Sequence, residues 1–217
     1  MAESKVIIAY WGVKGRAEVL RQLAEFTGVP YENKLYSDHN EWFSKDKAAL
    51  KSDFPNLPYI QDGDKVITET EACVLYLVQK SKRLELLGSN ADEVVHITQV
   101  KGVLTDLMNG FFKVVFNKEA DLVKGIEENC VPKLAALSKH LGTGEWLIGK
   151  ITVVDFFFAR LLDMLNNNGD YVQKFPNLAG FLQRYNDLPA LKAYFQSDRN
   201  LKVPVFPPTY VNPQFKV

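Results

Sequence analysis

Cysteine is nearly absent. The 217 residues hold 2, Cys73 and Cys130, far apart in stretches with helical apolar spacing. That excludes a disulfide-stapled scaffold and points to a reducing compartment, so the cytoplasm is the expected location. Histidine is as scarce, with 3 residues, His39, His96 and His140. None sits at metal-ligand spacing from another ligand type, so they are expected on the surface and no metal is expected. Charge of one sign is missing too. The 26 Lys and Arg balance 26 Asp and Glu, and with no global field neither nucleic acid nor a membrane is an expected partner. No run nears the ~20 apolar residues that span a bilayer. The opening MAESKVIIAYWG has neither the apolar length nor the small-residue cleavage site of a secretory leader. There is no internal repeat.

What is present is a globular composition, 47% hydrophobic and 24% charged, enough to build one large core or two small ones. The chain divides into two halves. In the first, Val6–Ala9 reads as a buried strand. Arg16–Thr27 reads as a helix with Val19, Leu20, Leu23 and Ala24 on one face, ended by Gly28 and Pro30. Tyr31–Leu35 is a second strand and Trp42–Lys51 a weak helix. Leu57–Gln61, an Asp62-Gly63 turn and Lys65–Ile67 form a hairpin, and Thr70 caps a helix running to Lys80. Residues 82–92 read as a linker, giving domains at 1–82 and 91–217. The second half is helical. A long apolar stripe runs from Val100 to Val115, one helix covers Leu122–Leu141, and Thr152–Asp155 is a capping box for the run that ends at Leu165. Shorter helices lie near Leu178–Asp187 and Leu191–Gln196. The proline-rich tail VPVFPPTYVNPQF is expected to wrap the surface without a helix.

Three stretches carry chemistry. In AYWGVKGRAEVLRQL (9–23) a strand ends on Tyr10 and Trp11, and Lys14 and Arg16 then stand at a helix N-terminus. That terminus already attracts anions, so cations there serve an incoming anion or are simply solvated. In SDFPNLPYIQDG (52–63) the Leu57-Pro58 bond precedes a strand. It is either a plain loop or a cis turn that turns the Leu57 backbone outward for an extended peptide. In ITETEACVLYLV (67–78) Thr70 either caps the helix or, with its N-terminal N–H groups, holds a carboxylate while Glu69 takes an ammonium. A carboxylate site beside an ammonium site describes an α-amino acid.

With ITVVDFF (151–157), these stretches stand in an order and at intervals that resemble a cytosolic glutathione transferase over essentially the whole chain. The group resembled is the tyrosine type, closest to the Mu class, with KGRAE more similar to Sigma and Alpha. The segment from Tyr36 to Trp42 is too short for the extra loop typical of Mu. The resemblance implies an α/β N-terminal domain of thioredoxin-like fold (a mixed four-stranded sheet with helices), followed by an all-α domain. It implies conjugation of reduced glutathione, a co-substrate rather than a fixed cofactor, to electrophilic hydrophobic compounds in detoxification. A non-catalytic ligand carrier or structural protein, and a Sigma-type prostaglandin isomerase, are the alternatives.

Residue by residue, the resemblance makes Tyr10 the catalytic hydrogen-bond donor to the glutathione sulfur. Arg16 stands at the thiolate-stabilising offset of Alpha and Sigma. Trp11, Trp42 and Lys47 belong at the glycyl end, with Lys45 or Asp46 competing for the Lys47 place when counted from Trp42. Asn56, Leu57 and Pro58 belong with the cysteinyl segment, and Glu69 and Thr70 with the γ-glutamyl head. Glu69 stands where the nearest classes carry glutamine. Asp106 matches the residue that reaches the partner subunit's glutathione. Val13, Phe112, Phe116 and Phe206 fall at co-substrate positions. Phe112 also suits core packing, and Phe116 replaces the tyrosine usual in Mu. Phe54 matches the anchor that plugs into a partner subunit, implying a homodimer.

Overall fold

The computed structural model describes residues 4–216. Residues 1–3 of the segment read for a leader, and Val217, lie outside the described residues. The chain divides into two compact units. One runs to Leu84 and takes in Ala190–Val205; the other holds Glu85–Pro189 and the chain from Phe206 on.

The first unit is built on a mixed four-stranded sheet. Strand β1 (Val6–Trp11) is central: it pairs in parallel with β2 (Tyr31–Tyr36) and antiparallel with β3 (Tyr59–Asp62), which pairs with β4 (Lys65–Thr68). A central strand needs an apolar run, and Val6, Ile8 and Ala9 are fully buried. The strand ends on Tyr10 and Trp11, as expected, two residues past its buried apolar run, because the ladder continues with Tyr10 opposite Leu35 and Trp11 opposite Tyr36. A 3₁₀ turn (Gly15–Ala17) leads into helix α1 (Glu18–Thr27). As expected, Gly28 ends α1 in the left-handed conformation, φ +75°, its N–H bonded back to the Ala24 carbonyl.

The expected helix from Trp42 is a π-helical stretch (Glu41–Asp46) running into one turn, α2 (Lys47–Ala49). Asp46 is tied back to β2 through Lys34 at 2.5 Å and the Tyr36 hydroxyl at 2.7 Å. Strand β3 starts at Tyr59 and not at Leu57, because Pro58, behind a cis peptide bond, has no N–H to give the ladder. Helix α3 (Thr70–Ser81) starts with Glu69 at the N-cap, which corrects the expected Thr70 cap: Thr70 is already helical. Helix α9 (Pro189–Gln196), from Ala190 on, and the chain to Val205 complete this unit.

The second unit is helical: α4 (Ala91–Val115), α5 (Leu122–Asn129), α6 (Val131–Leu141), α7 (Val153–Asn166) and α8 (Pro176–Asn186). The single helix expected over Leu122–Leu141 is broken. Pro132 has no N–H for the turn before it, and Asn129 Nδ2 takes the Gly125 carbonyl at 2.7 Å. The capping box at α7 is present. Asp155 accepts from Thr152 N at 2.7 Å, Thr152 Oγ1 at 3.1 Å and Leu147 N at 3.0 Å. Apart from a short 3₁₀ turn (Pro208–Tyr210) the tail is irregular, and it is pinned rather than loose. Asn212, buried, donates its backbone N–H to the Val115 carbonyl at 2.7 Å. Its Nδ2 bonds the Asn117 and Ala120 carbonyls at 2.9 and 2.8 Å.

The expected α/β-plus-helical class therefore holds. Cys73 and Cys130 are free and buried, and burial pushes both thiols up to about 12. The three histidines are exposed, as expected. Among the described residues, no helix is long and apolar enough to cross a membrane.

Candidate active site

Tyr10 stands half-buried on the last residues of β1. Its ring rests on Gly15: a Cβ there would lie 2.5 Å from Tyr10 Cε1 and 2.9 Å from Oη. Only glycine fits such an approach, and the backbone agrees, with φ +39°. Burial is the largest influence on the phenol and raises its pKa above the ordinary value of 10.0. The Arg16 backbone N–H works the other way, followed by the charges of Arg16 and Arg21. With burial dominant, Tyr10 keeps its proton at neutral pH and is a hydrogen-bond donor.

Next to it, Trp11 stacks on His39 at 4.9 Å between ring centroids and meets Phe43 at 5.9 Å. Lys47 Nζ stands over the Phe43 ring at 5.6 Å. Trp11 and Lys47 thus belong to one aromatic cluster with a cation at its rim. Asp46 is committed to Lys34 and Tyr36, and Lys45 is exposed. Trp42 differs from Trp11. It is buried against Tyr36 and Tyr59, at 5.4 and 6.1 Å, in the cluster that also holds Ala9 and Leu57.

At the other end of the predicted set, Asn56 Nδ2 donates to Glu69 Oε1 at 2.8 Å. The Leu57 N–H, expected to turn outward, bonds Asn56 Oδ1 at 2.9 Å, and Leu57 and Pro58 are buried. Asn56 therefore links the cis turn to the entry of α3. Glu69 has φ +68° and ψ 127°, a region costly for any residue with a Cβ by about 1–3 kcal/mol and most often met at ligand-binding sites. It is exposed, and its side chain closes no cap on α3.

In the second unit, Phe112, Phe116 and Phe206 meet edge to face: 5.5 Å between Phe112 and Phe116, 5.8 Å from Phe112 to Phe206, 5.2 Å from Phe116 to Phe206. Phe206 is buried and Phe116 is 44% exposed, so the cluster presents an apolar surface and is not sealed core. Val13, the remaining apolar residue of the predicted set, is buried in the first unit. Asp106 is exposed and pairs with Lys133 at 3.2 Å. Phe54, at 75% exposure, is the most open large apolar side chain of its loop.

Sequence reasoning missed several members. Phe215 packs on Phe206 at 5.8 Å and on Phe111 at 5.9 Å, but it sat in a tail read only as proline-rich. His39 and Phe43 flank Trp11 from the helical backbone around the Glu41–Asp46 stretch, and no periodicity reveals that packing. Arg21 lies on the buried side of α1, where a charged residue breaks the expected pattern. That break was the available signal.

The same chain matches known proteins along its length. A family model described as the glutathione S-transferase N-terminal domain covers residues 6–79, and one described as the C-terminal domain covers residues 105–198. The chain belongs to the glutathione S-transferase family. Glutathione S-transferase Mu 1 of Oryctolagus cuniculus is 35% identical over 216 residues, covering 92% of this chain and 94% of the relative. Glutathione S-transferase 2 of Gallus gallus is 32% identical over 214 residues, covering 93% and 94%. The crystal structure of the glutathione S-transferase Blo t 8 superposes with a TM-score of 0.83 at 25% identity, covering 94% of this chain and 98% of that one. The protein is a glutathione transferase, and its relatives include Mu-class enzymes.

Proposed function

We propose that this transferase conjugates reduced glutathione to electrophilic hydrophobic compounds through a thiolate held by Tyr10. The observation that carries the proposal is the packing of the Tyr10 ring on Gly15, with its hydroxyl facing the Arg16 N–H and half-buried so that it stays protonated. A free thiol of pKa ~8.5 is only a few per cent ionised at neutral pH. A hydrogen bond from a phenol to a sulfur anion is worth ~1.5–3 kcal/mol, or about one to two pKa units of thiol acidity. The thiol proton leaves to solvent. The sulfur lone pair then forms the new C–S bond as the electrophile's leaving group departs with its electrons. Arg16 adds positive charge near the sulfur.

The other residues divide the tripeptide among them. Trp11 and Lys47 serve the glycyl end, and their shared cluster with Phe43 favours Lys47 over Lys45 or Asp46. Trp42 shapes that end from the core. Asn56, the Leu57 backbone and Pro58 serve the cysteinyl segment, Glu69 the ammonium and Thr70 the γ-glutamyl carboxylate. The Asn56–Glu69 bond sets the spacing of these last groups. Phe112, Phe116 and Phe206 give the electrophile an apolar surface, with Val13 as the further member. Glutathione binding is assigned to a domain at 1–82 and the co-substrate to 91–217. The working protein is a cytoplasmic homodimer, with Phe54 as the anchor and Asp106 reaching the partner's glutathione.

Retention on immobilised glutathione, followed by conjugation with a generic aryl halide, tests this. Both are expected. Retention without turnover would leave a ligand carrier, and no retention would remove the glutathione assignment.

A further inference from the structure

Glu18 and Arg21, one turn apart on α1, are sealed from solvent at 1% and 0% exposure. Burying two charges costs several kcal/mol per ion, and apolar residues of similar volume often serve stability as well. Stability alone therefore does not account for the pair, and its contacts point elsewhere. Glu18 accepts from Arg21 Nη1 at 3.0 Å and from the Tyr194 hydroxyl of α9 at 2.9 Å. Arg21 Nε donates to Asn33 Oδ1 of β2 at 2.8 Å.

Both members of the pair also reach back along the chain to one atom. The Lys14 carbonyl accepts from the Glu18 N–H at 3.0 Å and from Arg21 Nη1 at a longer 3.4 Å. The opposite edge of the same loop is fixed as well. The N–H groups of Lys14 and Gly15 donate to the Pro204 and Val205 carbonyls at 2.9 Å each. Gly15 and Arg16, which follow, are the residues that meet the Tyr10 ring and hydroxyl. The pair thus joins β2, α1 and α9 to the short loop on which the phenol rests.

We propose that Arg21 is a positioning residue for the transferase reaction: the buried Glu18–Arg21 pair clamps the Lys14–Arg16 loop and so holds the Tyr10 phenol in line with the substrate sulfur. This rests on the reading of Tyr10 given above. Arg21 touches neither substrate nor reacting atom; it acts through the loop. Its charge works in the same direction, since it opposes the rise that burial imposes on the phenol.

The test uses the full-length protein and glutathione itself. The paired variant Glu18→Leu with Arg21→Met removes both charges without stranding either. It is expected to fold, judged by its near-ultraviolet circular dichroism and cooperative melting. Titration of bound glutathione by thiolate absorbance should show the thiol pKa raised by about one unit, a tenfold loss of thiolate on the acid side. Turnover below neutral pH should fall, while the KM for glutathione stays within about twofold, the mark of an effect on the reacting state rather than on binding. A folded paired variant with the wild-type thiol pKa overturns the proposal. If the paired variant does not fold, Asn33→Ala, which releases only the Nε bond, is read on the same titration: a smaller rise supports the clamp, and no change overturns it. Tyr10→Phe separates the two levels. If it raises the thiol pKa and the clamp variants do not, the clamp alone fails; if it has no effect, the role of Tyr10 itself fails.

Discussion

Replacing Gly15 by alanine should damage this enzyme in a way that Gly28→Ala does not, and the difference isolates the contact that sets the Tyr10 ring. Both glycines have positive φ, +39° and +75°. Each alanine therefore carries a backbone cost of about 1–2 kcal/mol. At Gly28 nothing lies within 4 Å of the added methyl, so the backbone cost is the whole effect. At Gly15 the methyl would stand 2.5 Å from Tyr10 Cε1. Carbon atoms rest at ~3.5 Å or more, so the ring or the loop must retreat by about 1 Å. Overpacking of that kind adds ~1–3 kcal/mol. Gly15→Ala should thus lose about 2–5 kcal/mol against about 1–2 kcal/mol for Gly28→Ala. A misplacement of ~1 Å at a reacting group can cost on the order of a hundredfold in rate. Urea unfolding gives the first comparison, and conjugation of an aryl halide at saturating glutathione gives the second. Should Gly15→Ala match Gly28→Ala in both, the ring is not held by this contact and the account of how Tyr10 is aimed is wrong.

Tyr10→Phe keeps the ring on Gly15 and removes only the proton donor, so the bound thiol pKa should rise by about one to two units. Its conjugation deficit should be on the order of tenfold at pH 6.5 and shrink toward pH 9; a deficit constant with pH would count against thiolate stabilisation. Asn212→Ala frees the tail from the Asn117 and Ala120 carbonyls, a loss of about 1–3 kcal/mol. It should raise the KM for an apolar electrophile more than the KM for glutathione, and equal rises would disconnect the tail from the Phe206 surface. Phe54→Ala should weaken self-association in sedimentation equilibrium, and an unchanged tight dimer would reject the anchor. Asp155 is pushed up to about 6 by burial, despite the N–H and hydroxyl bonds it accepts. The folded state then holds that proton more tightly than the unfolded chain does, so stability from this group falls as pH rises from about 4 to about 6. The stability gap between wild type and Asp155→Ala should narrow over that window, and a constant gap would mean the carboxyl titrates normally.

Most of the fold was legible because periodicity and punctuation act locally. The apolar run of β1, the stripe of α1, the Gly28 stop and the Thr152–Asp155 box each need only neighbours in sequence to be understood. The errors fall where the deciding partner is remote or where one atom is missing. Pro132 broke a helix whose apolar spacing ran on unchanged, through one absent N–H. Pro58 moved the start of β3 by the same cause. Asn212 pins the tail through the carbonyls of Asn117 and Ala120, 95 and 92 residues away, which no local pattern announces.

The site divides along the same line. Tyr10, Asn56 and Glu69 could be named from the motifs that hold them, yet their arrangement depends on contacts across the unit. Glu69 illustrates this. In sequence it is a carboxylate beside a helix start, no different from a solvated residue. In the fold its backbone sits at φ +68°, and its carboxylate accepts a hydrogen bond from Asn56 Nδ2 across a separation of 13 residues. A costly backbone conformation and a side chain steered by a second polar group are what the proposed ammonium role of Glu69 rests on. Removing Asn56 should therefore weaken the hold on an ammonium even though the carboxylate remains. Asn56→Ala is expected to raise the Kd for glutathione severalfold, while S-methylation of the ligand, which leaves its ammonium intact, should not change that ratio. If instead the penalty vanished with the methylated ligand, Asn56 would be acting at the sulfur, and the pairing with Glu69 would be incidental to binding.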